Sequence, residues 1–353
     1  MKKIFLVLMT SFIGICGSAK VNVNIDLHPE IHQHTTVNAN AEVNANANSN
    51  VNQQNLHYER QNDSHNDHPH HPHYPSNPKP EPFTFSDKGF GVGGIFFNMI
   101  AVEGGSFVMG YQNENQPELR FKRVDQEQNE KPYHKVSVSN FWMSETEVTQ
   151  DLWMAVVGRP IKSWNEKQGL GGNYPAYGVE YVDAKLFISK LNTILHENQL
   201  IPDNLNFCLP TEAEWEFAAK GGNYSKEYVY AGSNEYDEVA KCEKYFMHEK
   251  DIELSLVKKY VPNELGFYDM SGNVWEICSD WYGDYVSNEV VNPVGPIQGE
   301  VHVMRGGGLN AEDLSVDAVA STFRCTSRRP MPKRDHWGEY DYKTLIGFRI
   351  VLK

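Results

Sequence analysis

The sequence predicts one α+β domain with little regular secondary structure, and three observations carry that expectation. Between residues 95 and 222 a few short strands and three short helices are legible. Beyond Tyr224 neither the helical nor the strand period is sustained. There Gly, Asn, Tyr, Trp and Asp break up short apolar runs as far as Phe348-Arg349-Ile350-Val351-Leu352. A parallel α/β sheet would show strands and helices in regular alternation, and this chain does not.

Residues 1–19 read as an export signal. Lys2 and Lys3 make a positive start, residues 4–15 form an apolar core too short to span a bilayer, and Gly17 and Ala19 supply the small side chains that signal peptidase needs. Cleavage after Ala19 is expected, giving a secreted, periplasmic or cell-envelope protein. Lipid attachment at Cys16 is the alternative, disfavoured because Ile15 stands where such sites take a small residue.

Residues 20–94 form the expected leader, rich in Asn, His, Gln and Pro. It holds the run Val43-Asn44-Ala45-Asn46-Ala47-Asn48 and the cluster His65, His68, His70, His71 and His73. So few apolar side chains cannot offset the entropy of ordering, so the stretch reads as disordered. Its imidazoles suit zinc, copper or nickel; a solvated spacer is the plainer reading.

The folded part is expected over residues 95–353. Met99-Ile100-Ala101-Val102 and the segment after Gly104-Gly105 read as two strands about a glycine turn, and Val136, Val138 and Phe141 belong to a half-buried strand that runs on to Glu147. Thr149 is a fitting N-cap for a helix carrying Leu152, Trp153 and Val156, with Gly158 at its end. A second helix is expected over residues 183–196, with Phe187, Leu191, Ile194 and Leu195 on one face. Thr211-Glu212-Ala213-Glu214 is a capping box opening a third, which Gly221-Gly222 closes.

The 353 residues carry a formal charge of -14, which argues against nucleic acid as a partner. Cys208, Cys242, Cys278 and Cys325 outlast the expected cleavage. In an oxidising compartment they allow two disulfides in any of three connectivities, but buried or singly paired thiols are the simpler reading.

Six blocks stand in order along the domain: Glu103-Gly104-Gly105-Ser106-Phe107-Val108-Met109-Gly110, Glu147-Val148-Thr149, Leu209-Pro210-Thr211-Glu212-Ala213-Glu214-Trp215-Glu216-Phe217-Ala218-Ala219, Gly266-Phe267-Tyr268-Asp269-Met270-Ser271-Gly272-Asn273-Val274-Trp275-Glu276, Arg305-Gly306-Gly307 and Gly347-Phe348-Arg349. Together they resemble the formylglycine-generating enzyme, or sulfatase-modifying factor, family. The resemblance implies a variant of the C-type-lectin-like fold. It also implies where catalysis would reside: two copper-binding cysteines, six and eleven residues after the Arg of the Arg-Gly-Gly block. Counting from Arg305 reaches Ala311 and Val316, neither of which can bind Cu(I). No copper and no formylglycine generation are therefore expected. Ergothioneine-type sulfoxide synthases are similar too, but take iron ligands from an upstream helical domain, and the leader here has no helical period.

The resemblance also implies a structural calcium ion. The matching ligands are the side chains of Asp269 and Glu276 and the carbonyls of Gly272 and Val274, an oxygen set suited to a hard cation. In the other reading Asp269 caps a turn and Glu276 pairs with an arginine such as Arg349. The family's other calcium loop would fall between Ala240 and Val261, where no match is legible.

Trp215 and Trp275 read as core, and Glu212, Glu214 and Glu216 as a capped helix terminus. His134, His196, His248, His302 and His336 are scattered singly, and none is assigned a catalytic role. Arg324, Arg328, Arg329, Lys333 and Arg334 form a basic cluster that could meet an anionic or peptide ligand. The expected protein is an exported, non-catalytic family member that binds or scaffolds at the cell envelope, its partner a protein, peptide or glycan. Family relatives include gliding and secretion-machinery lipoproteins, which makes this role an analogy. The alternative is an oxidoreductase working through an unrecognised site.

Overall fold

A computed structural model of the chain describes residues 90–111, 128–241, 253–308, 316–332 and 345–353. The expected signal, Cys16, the Asn run, the His cluster, Cys242, His248, Ala311, Lys333, Arg334 and His336 lie outside them.

In chain order the first strands are β1 (Phe90–Val92), β2 (Ile95–Phe97), β3 (Met99–Val102), β4 (Gly105–Met109), β5 (His134–Val138) and β6 (Phe141–Ser144). Then come α1 (Gln150–Val157), α2 (Tyr181–Glu197), β7 (Phe207–Cys208), α3 (Glu212–Ala219) and α4 (Tyr236–Val239). The rest comprises β8 (Trp275–Trp281), β9 (Val290–Val291), β10 (His302–Arg305), α5 (Val316–Thr322), β11 (Arg328–Pro330), β12 (Ile346–Gly347) and β13 (Val351–Leu352). Mixed helices and short strands joined by ordered loops make the α+β class expected. No helix among the described residues is long and apolar enough to cross a membrane.

The ordered domain begins before Ile95. β1 falls within the last five residues of the expected leader, pairs antiparallel with β2, and buries Phe90 and Val92 in the core. Phe90 stacks on Phe97 at 5.3 Å and meets the edge of Phe207 at 5.4 Å. Two aromatic contacts outweigh the local polarity from which the boundary was read.

The helices start for the reasons read from sequence. Thr149 Oγ1 accepts from Leu152 N, and Gly158 closes α1 in the left-handed region at φ 83°. Thr211 and Glu214 form the reciprocal capping box of α3. α2 opens two residues earlier than expected because Glu180 and Asp183 make their own capping box. Its Phe187, Leu191 and Leu195 face the core.

Two four-stranded sheets position the site. One runs β3-β6-β13-β7 and the other β11-β10-β8-β12. The C-terminal segment belongs to both: β12 runs parallel to β8, pairing Ile346 with Trp275, and β13 lies antiparallel between β6 and β7. Arg349 sits on the link between them, fully buried. Gly347 permits that crossing, since a Cβ there would stand 2.5 Å from the Ala176 carbonyl. The seven-residue β8 has no alternating pattern because nearly all of it is buried, which is why no strand was legible beyond Tyr224.

Candidate functional site

Charge is concentrated in the core of this domain, and it falls into two clusters. The first is built on α3. Glu212 and Glu216 project from successive turns toward Arg305 on β10 and Arg328 on β11. Arg328 forks onto Glu212 through Nε at 2.6 Å and Nη2 at 2.8 Å, and lies between the rings of Tyr282 and Tyr285 at 4.5 and 4.2 Å. Arg305 pairs with Glu216, donates to the Cys325 and Ser327 carbonyls, and holds its Nε 3.1 Å from Glu212, close enough for Coulomb attraction but not aligned for a hydrogen bond. Burial alone would push the Glu216 carboxyl up, yet Lys220 and Arg305 hold it below its usual value. Every buried carboxylate named here has a cationic partner.

This corrects the reading of the basic cluster as a ligand surface at Arg324 and Arg328, while Lys333 and Arg334 lie outside the described residues. Arg324 and Arg328 are buried, Arg324 forking onto Glu130 at 2.6 and 2.9 Å. Both guanidinium charges are spent inside the fold. Arg329 lies over the Trp275 ring at 5.6 Å. Glu212 and Glu216 exceed their expected capping role for the same reason, whereas Glu214 both caps α3 and receives Lys353 at 2.6 Å.

The second cluster lies where β6 runs into α1 and meets the 269–276 loop. Glu276, fully buried on β8, accepts from Arg349 Nε at 2.6 Å, Arg349 Nη2 at 2.7 Å and Trp215 Nε1 at 2.7 Å. Arg349 also donates to the Ser144 and Tyr268 carbonyls. Two further carboxylates share this one guanidinium. Asp269 is buried, held at φ 58°, and accepts from Lys258 N at 2.8 Å. Glu147 is 1% exposed, and neither of its oxygens receives a hydrogen bond from any described group. Burial, then the charges of Asp269 and Glu276, push Glu147 well above the usual carboxylate range against the pull of Arg349. Burial likewise pushes Asp269 up to about 6.

Asp269 is also a wall of a small surface hollow, which Lys241, Glu253, Ser255, Ser271 and Asn273 line together with Val239, Ala240, Leu254 and Tyr260. The buried Ser255 Oγ and Asn273 Nδ2 have no hydrogen-bond partner among the described residues. Lys258, Asp269 and Asn273 all adopt left-handed backbone at φ 65°, 58° and 60°. Such backbone is costly away from glycine, and here it is gathered around one carboxylate.

The residues expected to bind calcium are thus brought together in part. Asp269 stands at the cavity, and Gly272, at φ 85°, gives its N–H to the Gly306 carbonyl. Glu276 takes the arginine partner named in the other reading. Glu147 belongs to a quoted block, but no role was read for it. The available signal was an acid preceding the Thr149 N-cap that neither caps α1 nor has a basic neighbour in sequence.

Of the other residues singled out, Trp215 and Trp275 are core. His302 is stacked between Tyr181 at 3.5 Å and Trp281 at 3.9 Å, and its Nδ1 faces the Ser279 and Asp280 carbonyls. His134 meets Tyr285 edge-on at 5.1 Å, and His196 contacts Asn206 at 3.2 Å. Cys208, Cys278 and Cys325 are free thiols.

Comparison with known proteins is informative over the same stretch. Residues 96–353 match the model of the sulfatase-modifying factor enzyme 1-like domain. The chain is 37% identical over 130 residues to a formylglycine-generating enzyme of Streptomyces coelicolor, covering 34% of this chain and 40% of that protein. It is 32% identical over 183 residues to the chaperone protein LppX of Paenibacillus barcinonensis, covering 42% and 64%. A serine/threonine-protein kinase pkn1 of Chlamydia pneumoniae is 28% identical over 255 residues, covering 65% and 34%. The chain therefore spans only about a third to two thirds of these relatives. Among solved structures, Treponema denticola variable protein 1 superposes with a TM-score of 0.56 at 26% identity, covering 76% of this chain and 99% of that one.

Proposed function

This chain belongs to the sulfatase-modifying factor family, and from that premise we propose that it is an exported member without catalytic activity, which binds a partner or scaffolds an assembly at the cell envelope. The observation that carries the reading is the pair Ala311 and Val316 at the positions matching the family's copper-binding cysteines. Copper(I) needs thiolate, and neither side chain has one to offer. The state of the described thiols supports this. Burial pushes Cys325 up to about 12, raises Cys278 well above its ordinary value, and raises Cys208 as well, so all three are neutral near physiological pH. The family includes relatives named for other tasks, a chaperone protein and a variable protein among them, which agrees with a binding role.

Calcium belongs to this reading as a structural ion. Asp269 fits it in part: its carboxylate stands on a hollow that Ser255, Ser271 and Asn273 share with Leu254 and Tyr260, and the carbonyls of Gly272 and Val274 are the expected backbone ligands. Glu276 fits less well, because Arg349 already neutralises it. Bound there, the ion would offset surplus negative charge and anchor a loop that has little regular structure.

The decisive experiment incubates the purified chain with copper, oxygen and a sulfatase-derived cysteine peptide, and follows the peptide by mass spectrometry. The peptide is expected back unchanged; conversion of its cysteine to the aldehyde would overturn the non-catalytic reading. Intact mass of the exported protein tests the location: it should begin at Lys20, and a diacylglyceryl-modified Cys16 would replace secretion with lipid anchoring.

A further inference from the structure

The sheet β4-β5-β9 has one edge closed and one open. At β4 the closing groups come from the end of α3 and the turn after it. Lys220 Nζ donates to the Val108 carbonyl at 2.8 Å, and Asn223 Nδ2 reaches the Glu103 and Gly104 carbonyls. Edge strand β7 of the sheet β3-β6-β13-β7 is closed in the same way, since the Asn192 side chain exchanges both hydrogen bonds with the Phe207 backbone. β9 has no such cover among the described residues. It runs parallel to β5 with Val290 opposite Val136 and Val291 opposite Ser137, and Asn292 N donates to the Ser137 carbonyl. Along a parallel ladder alternate residues bond to the same neighbour. Residues 290 and 292 therefore face β5, while the N–H and C=O of Val291 face outward, where no described group bonds to them.

Beside that edge stands an apolar surface that the described fold leaves uncovered. Val291 and Val294 are 69% and 67% exposed, and Ile297 wholly so. The loop that carries them is firmly held. Ser139 N donates to Asn292 Oδ1 at 2.7 Å, and Asn292 Nδ2 lies 2.9 Å from Ser139 Oγ. Gly295, at φ 73°, lies so close to β8 that a Cβ there would stand 2.9 Å from the side chain of Asp280. A loop fixed in this way has already lost its conformational freedom on folding, so docking onto it loses little more. Charge is scarce here too. From Tyr285 to Gly299 the one charged residue is Glu289, and Lys135 neutralises it at 2.9 Å. In a chain of formal charge -14, this is a surface that a second copy can approach with little repulsion.

We infer that this edge is a dimer interface, in which β9 pairs antiparallel with β9 of a second copy across a two-fold axis. A strand edge is self-complementary in that arrangement: the N–H of Val291 in each copy meets the C=O of Val291 in the other, the hydrogen-bonded pair of an antiparallel ladder. The two three-stranded sheets become one of six strands, and the apolar side chains of the two loops cover each other. The area fits a small, reversible dimer. Val291, Val294 and Ile297 offer roughly 350 Å² of apolar surface per copy, most of the apolar share of the about 800 Å² that each partner buries in a standard interface.

The test is sedimentation velocity of the purified full chain over a wide range of concentration. The sedimentation coefficient should rise with concentration as monomers pair, and added salt should tighten the dimer by screening the repulsion between two acidic chains. Val291→Pro removes the outward N–H and no bond to β5, and Ile297→Lys puts a charge on a side chain the fold leaves exposed. Each should raise the dissociation constant at least about tenfold, the loss of about 1.4 kcal/mol of binding energy. Ile297→Lys should leave the melting temperature of the dilute chain unchanged, which separates loss of the interface from loss of the fold. Val182→Lys, the same kind of change at an exposed position on α2, should dimerise as the wild type does. A chain that stays monomeric at every concentration overturns the inference, and the edge then serves some other molecule. So does a dimer that survives both Val291→Pro and Ile297→Lys, or one that salt or Val182→Lys takes apart.

Discussion

The two buried charge clusters of this domain differ in one respect, the ratio of acids to cations. Under α3, Glu212 and Glu216 face Arg305, Arg328 and Lys220, and both arginines also donate to backbone carbonyls. At the β6-α1 junction, Glu147, Asp269 and Glu276 face Arg349 alone among the described residues. A matched cluster is closed: its desolvation cost is met within the fold, and it holds sheets and helix in register. A cluster with more acids than cations is open: it takes a proton or a cation from outside, and Glu147 is accordingly raised well above the usual carboxylate range. Open clusters are where a structure points to function, and closed ones explain why tempting arginines have none to give.

The comparison breaks most directly at Arg305. Arg305→Met leaves Glu212 with only Arg328 and Glu216 with only Lys220, and removing one partner of a buried pair costs about 3–5 kcal/mol. Urea denaturation should show that loss. A change below about 1 kcal/mol would mean that the α3 cluster is not closed by its arginine.

Asp280 sharpens the comparison through pH. It is buried on β8 against the start of α3, accepts from Glu212 N at 3.0 Å, and has acids nearby without an ion-pair partner among the described residues. Burial first, then the charge of Glu212, push it from 3.8 up to about 7. A raised carboxyl binds its proton more tightly folded than unfolded, so its contribution is fullest below 3.8 and is lost as pH rises through about 7. Asp280→Asn keeps the acceptor and never ionises. It should remove a loss on the order of a few kcal/mol across that window, seen as a flatter profile of stability against pH. Glu216 has the opposite sign: its carboxyl is lowered, so its contribution is lost only as pH falls below the usual 4.5. Identical pH profiles for wild type and Asp280→Asn would show that Asp280 is solvated in solution.

The smallest effect belongs to the caps, which serve neither cluster. Thr149→Ala removes the acceptor for Leu152 N and should cost about 1 kcal/mol. It should leave calcium binding unchanged, because only the backbone of α1 is frayed. A larger loss would show that the start of α1 and Glu147 beside it behave as one unit.

By itself the sequence determined what is local or repeated. Thr149, Gly158 and the Thr211 to Glu214 box set where α1 and α3 begin or end, because a cap is a bond between residues three or four apart. Six blocks in order carried the family, and the counts from Arg305 reached Ala311 and Val316 without any coordinates. Tertiary structure alone decided which charges are free. Nothing in the run Arg324 to Arg328 tells that Glu130 and Glu212, 194 and 116 residues away, will take them. β8 was illegible because both its faces are covered, and β1 because aromatic partners far along the chain pull it into the core. The same holds at the candidate site: Glu276 is claimed by Arg349 across 73 residues, and Glu147 is left over. Whether a carboxylate is spent or available depends on which partners folding brings within 3 Å of it, and that is a property of the packed core.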